Sequence, residues 1–354
     1  MVVVGAGIAG LAAAWELLRE GGKVDVTVLE SERRAGGVIV TERVDGFVVE
    51  GGPDGVLASE PEMPALAAEL GIGDHVVGQL ARGTSLWSGG GEGTDLRPIA
   101  EGRAATLLGI DVKNADLGAG FRTFAGGMGE LVAALSARLA GTLHLAQGAS
   151  GLIRDGTRWR IAISGGSAYD ADAVVLALPA WAAGRVLETI GVHHGRSLAE
   201  VPYLPSITVS LGYRADQIGR PLEGAGFVVD SDANHIRACT YASAKFSGRA
   251  PEGHTLLRAF LRPIDDDPAT VAHGELSAIL RIRGEPLWSR VFYWNRGLPR
   301  YRHHHAEHVA AVRRQLARVP PLAIAGAGYD GAGVSACIQS GRAAGRLIAR
   351  LMAR

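Results

Sequence analysis

The residues whose types and spacing could do chemistry stand at the start of the chain. Gly5-Ala6-Gly7-Ile8-Ala9-Gly10 is a G-x-G-x-x-G turn, and Glu30 follows Gly10 by 20 residues. Glycines at this spacing bring backbone N–H groups up to a pyrophosphate: Gly5 makes the tight turn, Gly7 lets the ligand approach, and Gly10 lets a helix pack closely on a strand. An acid at that distance accepts hydrogen bonds from an adenosine ribose. In a chain with 50 glycines the turn alone says little. Its flanks give it weight. Val2–Val4 is an apolar run of buried-strand type, residues 11–18 are an Ala/Leu-rich helix former, and residues 24–29 form a second strand that ends at Glu30. The pattern predicts a βαβ unit with a dinucleotide on the positive end of its helix, so Ile8 and Ala9 join the glycines as cofactor-binding candidates.

The elements that must position this unit lie far apart in the chain. Residues 171–178 are a continuous apolar strand stopped by Pro179, of the kind found in a parallel sheet. Residues 322–325 are another, followed by the glycine turn 326–333 and a helix over 335–352. Between them, 61–70 reads as an amphipathic helix closed by Gly71, 130–139 as a helix, and 143–145, 151–154 and Arg158–Ile163 as a small antiparallel meander. Residues 207–213, Gly226–Val229, 235–242, 255–261 and 288–294 have the strand propensity and turn punctuation of a second, mainly antiparallel sheet, with helices over 268–283 and His305–Leu316. From Gly78 to Gly120 the reading loosens: a glycine-rich turn at 87–93, an edge strand at Leu96-Arg97-Pro98, and no clear period over 103–118.

Composition narrows the function. At 354 residues, 47% hydrophobic and 20% charged, the chain is long enough for two domains. A formal net charge of zero and dispersed arginines argue against nucleic acid. Three of the 36 basic residues are lysines (Lys23, Lys113 and Lys245), so an anionic substrate would be held by arginine forks. Cys239 and Cys337 make neither a disulfide framework nor a metal motif, and a reducing cytoplasm is the simplest setting. The apolar start lacks a basic leading segment and reads as fold rather than address, and no apolar run of about 18 residues is present. His303, His304, His305 and His308 have no Cys or carboxylate partner at ligand spacing, so the polar start of a helix outweighs a metal site.

Glu30 is followed by Arg34-x-Gly36-Gly37 and strands at 38–41 and Phe47–Glu50. That combination resembles the flavin-dependent amine oxidase superfamily, in which the arginine and the two glycines wrap the FAD pyrophosphate; this second element favours FAD over NAD. Gly52-Pro53-Asp54 with Leu57 looks like the flavin-facing loop of protoporphyrinogen and coproporphyrinogen oxidases, although in isolation it is a common turn sequence. Phe121 to Gly129 matches the Gly-Gly-Met stretch of those enzymes. Residues 322–334 match their C-terminal turn, which carries Gly328, Gly333 and Val334 to the cofactor. The resemblance spans about residues 2–75 and 121–350, and in the interval between them the large helical substrate and membrane-binding insert of those oxidases is almost wholly missing.

This resemblance implies an α/β fold: a Rossmann-like FAD-binding domain, with a parallel sheet and a small antiparallel meander, over 1–56, 121–190 and 318–354, and a second α+β substrate domain on a mainly antiparallel sheet over 57–120 and 191–317. It implies hydride transfer from a tetrapyrrole carbon to flavin N5, six electrons in three rounds, with dioxygen returned as hydrogen peroxide. The flavin supplies most of that chemistry, which agrees with the lack of any catalytic triad in the sequence. Arg97 and Arg122 are candidate partners for substrate carboxylates, set against the plainer reading as surface arginines. Lys245 could mimic the flavin-side lysine of amine oxidases, but its surroundings resemble the porphyrinogen-oxidase loop. The missing insert weakens peripheral membrane contact. It also keeps open two alternatives, an amine oxidase or desaturase acting on another biosynthetic substrate, and a non-catalytic flavin- or tetrapyrrole-binding paralogue.

Overall fold

The computed structural model describes residues 1–20, 24–89, 95–109 and 116–353. Lys23, Lys113 and most of the glycine-rich turn at 87–93 lie outside the described residues. A parallel sheet of five short strands carries the N-terminal unit, in the order Leu143–His144, Thr27–Leu29, Val2–Val4, Val174–Leu176 and Leu322–Ile324. Every residue of the three strands Val2–Val4, Val174–Leu176 and Leu322–Ile324 is buried, as a parallel sheet covered on both faces requires. Helices Ile8–Glu20, Gly129–Arg138 and Val334–Met352 cover one face through Leu11, Leu17, Leu131, Leu135 and Ile338. The meander and helices Ala180–Thr189 and His305–Leu316 cover the other through Trp159, Ile161, Leu187 and Val312.

Two predicted features change place. Leu143 was expected in the meander, yet it pairs in parallel with Val28 at the sheet edge, and the meander is Ala149–Asp155, Arg158–Ile163 and Ala168–Ala171. Period-two alternation cannot distinguish these partners, because helix Gly129–Arg138 returns the chain to the parallel sheet before the meander begins. The hairpin predicted from 38–41 pairs instead as Thr41–Val44 with Phe47–Glu50. Asp45 and Gly46, with φ of 47° and 82°, form the two-residue turn that sets this register.

The large sheet has seven strands in the order Trp288–Pro299, Tyr203–Arg214, His254–Leu261, Ile236–Tyr241, Gly226–Val229, Thr84–Trp87 and Arg97–Ile99. Its pairings are antiparallel except that of Gly226–Val229 with Thr84–Trp87. One face packs on helix Pro268–Leu280 through Val209, Leu211, Leu257, Ala259 and Phe227. That helix starts where Asp267 accepts the Thr270 N–H at 2.8 Å, and it stops at Arg281 in the left-handed conformation. On the opposite face the register aligns Phe292, Thr208, Phe260, Ala238, Val228, Leu86 and Arg97 in one cross-strand row. Part of the aperiodic interval closes on this row as helix Glu101–Leu107, whose Ala104 clusters with Val228 and Ala238. Two buried alanines in seven residues give no readable period, so tertiary burial alone makes this helix. Among the described residues no helix is long and apolar enough to cross a membrane.

Helices Ile8–Glu20 and Val334–Met352 run in the same direction in close contact: a Cβ on Gly341 would overlap the Ala9 carbonyl, and one on Gly345 would press on that of Ala13. Gly341→Ala should therefore lower stability by about 1–3 kcal/mol through overpacking, read as a lower urea midpoint. Gly102→Ala, where a Cβ meets no atom within 4 Å, should leave the midpoint unchanged or raise it.

Candidate functional site

The turn after Val2–Val4 is held by its own backbone and by Glu30. Gly5 has φ of 103° and packs on the Ala177 carbonyl, and Gly10 sits against the Gly5 carbonyl, so neither position has room for a side chain. A Cβ on Gly7, by contrast, would meet nothing within 4 Å. The open space at Gly7 lies where a bound group would come. Glu30 is 9% exposed; its Oε2 accepts the Ala6 N–H at 2.7 Å, and its Oε1 accepts the Glu32 N–H at 2.9 Å and the Ser31 hydroxyl at 3.1 Å. The acid thus shapes the turn before it meets any ligand. Ile8 and Ala9 are buried, so each can offer a ligand only its backbone N–H, one of the first-turn donors that have no acceptor within the helix.

The second turn stacks on the first. The Gly36 N–H donates to the Ala6 carbonyl at 2.8 Å, Gly7 and Gly36 form a parallel bridge, and Gly37 comes within contact of Gly7. Arg34, expected to face a diphosphate, turns its guanidinium to the carbonyls of Ala35 and Ile39 at 3.2 Å and of Gly37 at 2.6 Å. It braces the loop that carries Gly36 and Gly37.

The C-terminal turn arrives beside both. Gly328 packs on Ala180, and Tyr329 donates its hydroxyl to the Leu178 carbonyl at 2.8 Å. Asp330 accepts from the Ser340 hydroxyl at 2.6 Å and from Arg313 at 2.7 Å. Helix Val334–Met352 then begins behind Gly333, where a Cβ would again meet nothing within 4 Å. Ser335 in its first turn is 2% exposed, and its hydroxyl has no partner. Two glycines that open onto space, an orphaned buried hydroxyl and two helix N-termini fit a pyrophosphate and the group attached to it.

The Gly51 to Asp54 loop is held from the large sheet. Trp294 donates its indole N–H to the Gly51 carbonyl at 2.9 Å, Arg258 donates to the Gly52 carbonyl, and Gly52 leaves no room for a Cβ beside the Val38 carbonyl. Asp54, next to Pro53, pairs with Lys245 at 2.9 Å across 191 residues of sequence. Lys245 is 8% exposed, its ammonium 4.5 Å from the Phe121 ring centre and 5.0 Å from that of Phe246. Arg249 is 2% exposed and bonds the Thr123 hydroxyl at 2.9 Å, with Glu50 at 3.6 Å. Glu50 in turn accepts from the Met128 N–H and the Thr41 hydroxyl, both at 2.7 Å. Burial raises the Glu50 carboxyl above its ordinary value, and the Arg249 charge pulls the other way. Burial alone would also raise Asp54, but Lys245, Arg258 and Arg249 bring it down to about 2.

The sequence pointed to Asp54 and missed most of what holds it. Arg258 lies inside the apolar run of strand His254–Leu261, where an arginine is out of keeping with its neighbours, and that was the available signal. Arg249 and Trp294 carried none. Arg97 lies exposed on the outermost strand of the large sheet, and Arg122 lies exposed on strand Phe121–Phe124; neither has an ion-pair partner among the described residues. The histidine run is divided: His304 pairs with Glu307 at 3.0 Å, and His305 stacks on Tyr301 with ring centres 4.5 Å apart. Cys239 and Cys337 are both buried and free.

A family of flavin containing amine oxidoreductases matches residues 8–118 and 103–349. The chain belongs to that family. Its cofactor is FAD, and it is an FAD-dependent oxidoreductase. The coproporphyrinogen III oxidase of Propionibacterium freudenreichii is 28% identical over 482 aligned positions, covering 97% of this chain and 89% of that protein. The coproporphyrinogen III oxidase of Bacillus subtilis is 24% identical over 458 positions, covering 97% and 96%. Both alignments are longer than the 354 residues here, so these relatives carry residues with no counterpart in this chain. The two matched segments of the family meet at 103–118, in the interval that lacks the insert. The same fold occurs in a crystal structure of an Exiguobacterium protein provisionally assigned as a protoporphyrinogen oxidase, with TM-score 0.84, 23% identity, and coverage of 100% of this chain and 98% of that one.

Gly7→Ala should fold with an unchanged urea midpoint yet purify with much reduced flavin absorbance, because its Cβ meets no protein atom within 4 Å and enters the open space. Lys245→Met leaves the half-buried Asp54 carboxylate without its ion-pair partner and should cost about 1–3 kcal/mol at neutral pH. Asp54 titrates near 2 in the folded protein against an ordinary 3.8, so its share of stability is present above pH 4 and is lost as pH falls toward 2. Urea midpoints of wild type and variant should accordingly differ most above pH 4 and converge on acidification.

Proposed function

We propose that this flavoprotein oxidises a porphyrinogen to the porphyrin, with coproporphyrinogen III as the preferred substrate and dioxygen as the acceptor. The observation that carries this reading is the Gly52-Pro53-Asp54 loop, which resembles the porphyrinogen-oxidase loop and is braced by Arg258 and Trp294 from the large sheet and by Lys245 from the short helix Ala242–Lys245. The near full-length relatives named as coproporphyrinogen III oxidases support it. When bound, FAD supplies the hydride acceptor, and three rounds remove six electrons and six hydrogens while three dioxygen molecules become hydrogen peroxide.

The chain's own residues bind, orient and bias. In this reading Gly5 and Gly10 shape the turn, Gly7, Gly36 and Gly37 with the Ile8 and Ala9 N–H groups hold the pyrophosphate, Glu30 the ribose, and the turn from Gly328 to Val334 the far end of the cofactor. Lys245, Arg249 and Arg258 outnumber Glu50 and Asp54, so the loop lies in a locally positive, buried environment that favours negative charge developing beside it. Arg249 Nη1 and Arg258 Nε, both buried, lack hydrogen-bond partners and leave that charge partly uncompensated. Helix Glu101–Leu107 covers the Val228, Ala238 and Phe260 end of the large sheet.

Mixing the yellow protein anaerobically with coproporphyrinogen III should bleach the flavin absorbance, and admitting air should restore it with porphyrin formed above the autoxidation blank. A flavin that dithionite reduces but neither coproporphyrinogen III nor protoporphyrinogen IX does would overturn the reading and move the search to amines.

A further inference from the structure

One contact between the large sheet and the parallel-sheet layer does not bear on the Gly51 to Asp54 loop. Helix Ala180–Thr189 opens beside the C-terminal glycine turn: Gly328 packs on Ala180, and the Ala180 N–H donates to the Tyr203 hydroxyl at 2.9 Å. Trp181 is the next residue. From the other side, strand Trp288–Pro299 sends Trp294 to the Gly51 carbonyl and, two residues later, lays the Arg296 guanidinium over the Trp181 ring at 4.2 Å. Arg185, one turn along the helix, has its guanidinium 5.6 Å from the same ring. The cluster therefore stands between the two segments expected to embrace the cofactor.

Its chemistry is incomplete as it stands. Arg185 and Arg296 are both exposed, and among the described residues neither has an ion-pair or hydrogen-bond partner. Two cations on one indole repel each other, and stacking returns only about 0.5–1 kcal/mol apiece at an exposed site. The Trp181 indole N–H is buried and has no partner either. Two unpaired guanidinium forks held on one indole match one carboxylate, which would accept from the forks and neutralise the pair.

We propose that Trp181, Arg185 and Arg296 form an anchor for one propionate of the substrate. The anchor rests on the porphyrinogen reading above. It sets substrate position through one carboxylate, and it gives a tetracarboxylate such as coproporphyrinogen more chances of engagement than a dicarboxylate. Sequence inspection had placed this role on Arg97 or Arg122, neither of which has an indole or a second cation beside it among the described contacts.

The test is titration of oxidised holoenzyme with coproporphyrin III, which binds without turnover, followed by the Soret band. Arg296→Gln and Arg185→Gln should each raise Kd about tenfold, the loss of one charge-assisted hydrogen bond. Arg296→Lys should fall between wild type and Arg296→Gln. Trp181→Leu removes the aromatic platform under both forks while keeping both charges and should raise Kd severalfold, so it serves if an arginine variant fails to retain flavin. The tetramethyl ester of coproporphyrin, with its carboxylates masked, should bind wild type and variants alike. Equal Kd values for the free acid across wild type and variants, or equal losses for acid and ester, would reduce the cluster to a structural contact. Failure of wild type to bind coproporphyrin at all would overturn the anchor together with the porphyrinogen reading, an outcome distinct from unaffected variants.

Discussion

The close approach of helices Ile8–Glu20 and Val334–Met352 is the constraint on which the rest of the site depends. At Gly341 and Gly345 one helix presents no side chain, so its backbone reaches the carbonyls of Ala9 and Ala13 on the other. The helices run in the same direction, and their positive N-terminal ends therefore face the same side of the parallel sheet. That geometry makes one cradle out of residues more than 300 positions apart in the chain. It also explains why the ionic network of Glu16 and Glu69 with Arg342 and Arg346 lies along the same seam: once the backbones are this close, the long side chains at its margins can meet.

A second set of forces brings the large sheet to this cradle. Lys245, Arg249 and Arg258 are almost wholly buried, and burying charge is costly unless it is paired. Asp54 and Glu50 pair two of them, and backbone carbonyls of the Gly51 to Asp54 loop take most of what Arg258 donates. The loop is thus fixed by polar groups that have few other places to go. A site built in this way tolerates little drift, which suits chemistry in which the protein chiefly positions the reactants.

The shortened interval shows how the fold accommodates a missing part. Val228, Ala238 and Phe260 would present an apolar face to water if nothing covered them. The short helix Glu101–Leu107 lies over that end of the sheet with its two buried alanines.

Much of this was legible in the sequence. The glycine turn at 5–10, Glu30, the parallel strands and the C-terminal strand, turn and helix are local patterns, and local patterns follow from backbone sterics and from the runs of apolar residues that any such sheet must bury. Family membership and the FAD cofactor came from those same segments. What the sequence could not supply was partnership across the chain. Asp45-Gly46 was a readable hairpin signal that local pattern had placed a few residues early, whereas the pairing of Leu143 with Val28 depended on a crossover that no local period encodes. The Lys245 to Asp54 ion pair spans 191 residues, and Arg258 and Trp294 reach the loop from strands whose alternation says only which face they occupy. Spacing in sequence determines the elements and the donors at their ends, but which buried charges meet is decided in the tertiary structure, because a charge far along the chain becomes a neighbour only when two sheets pack and exclude the water between them.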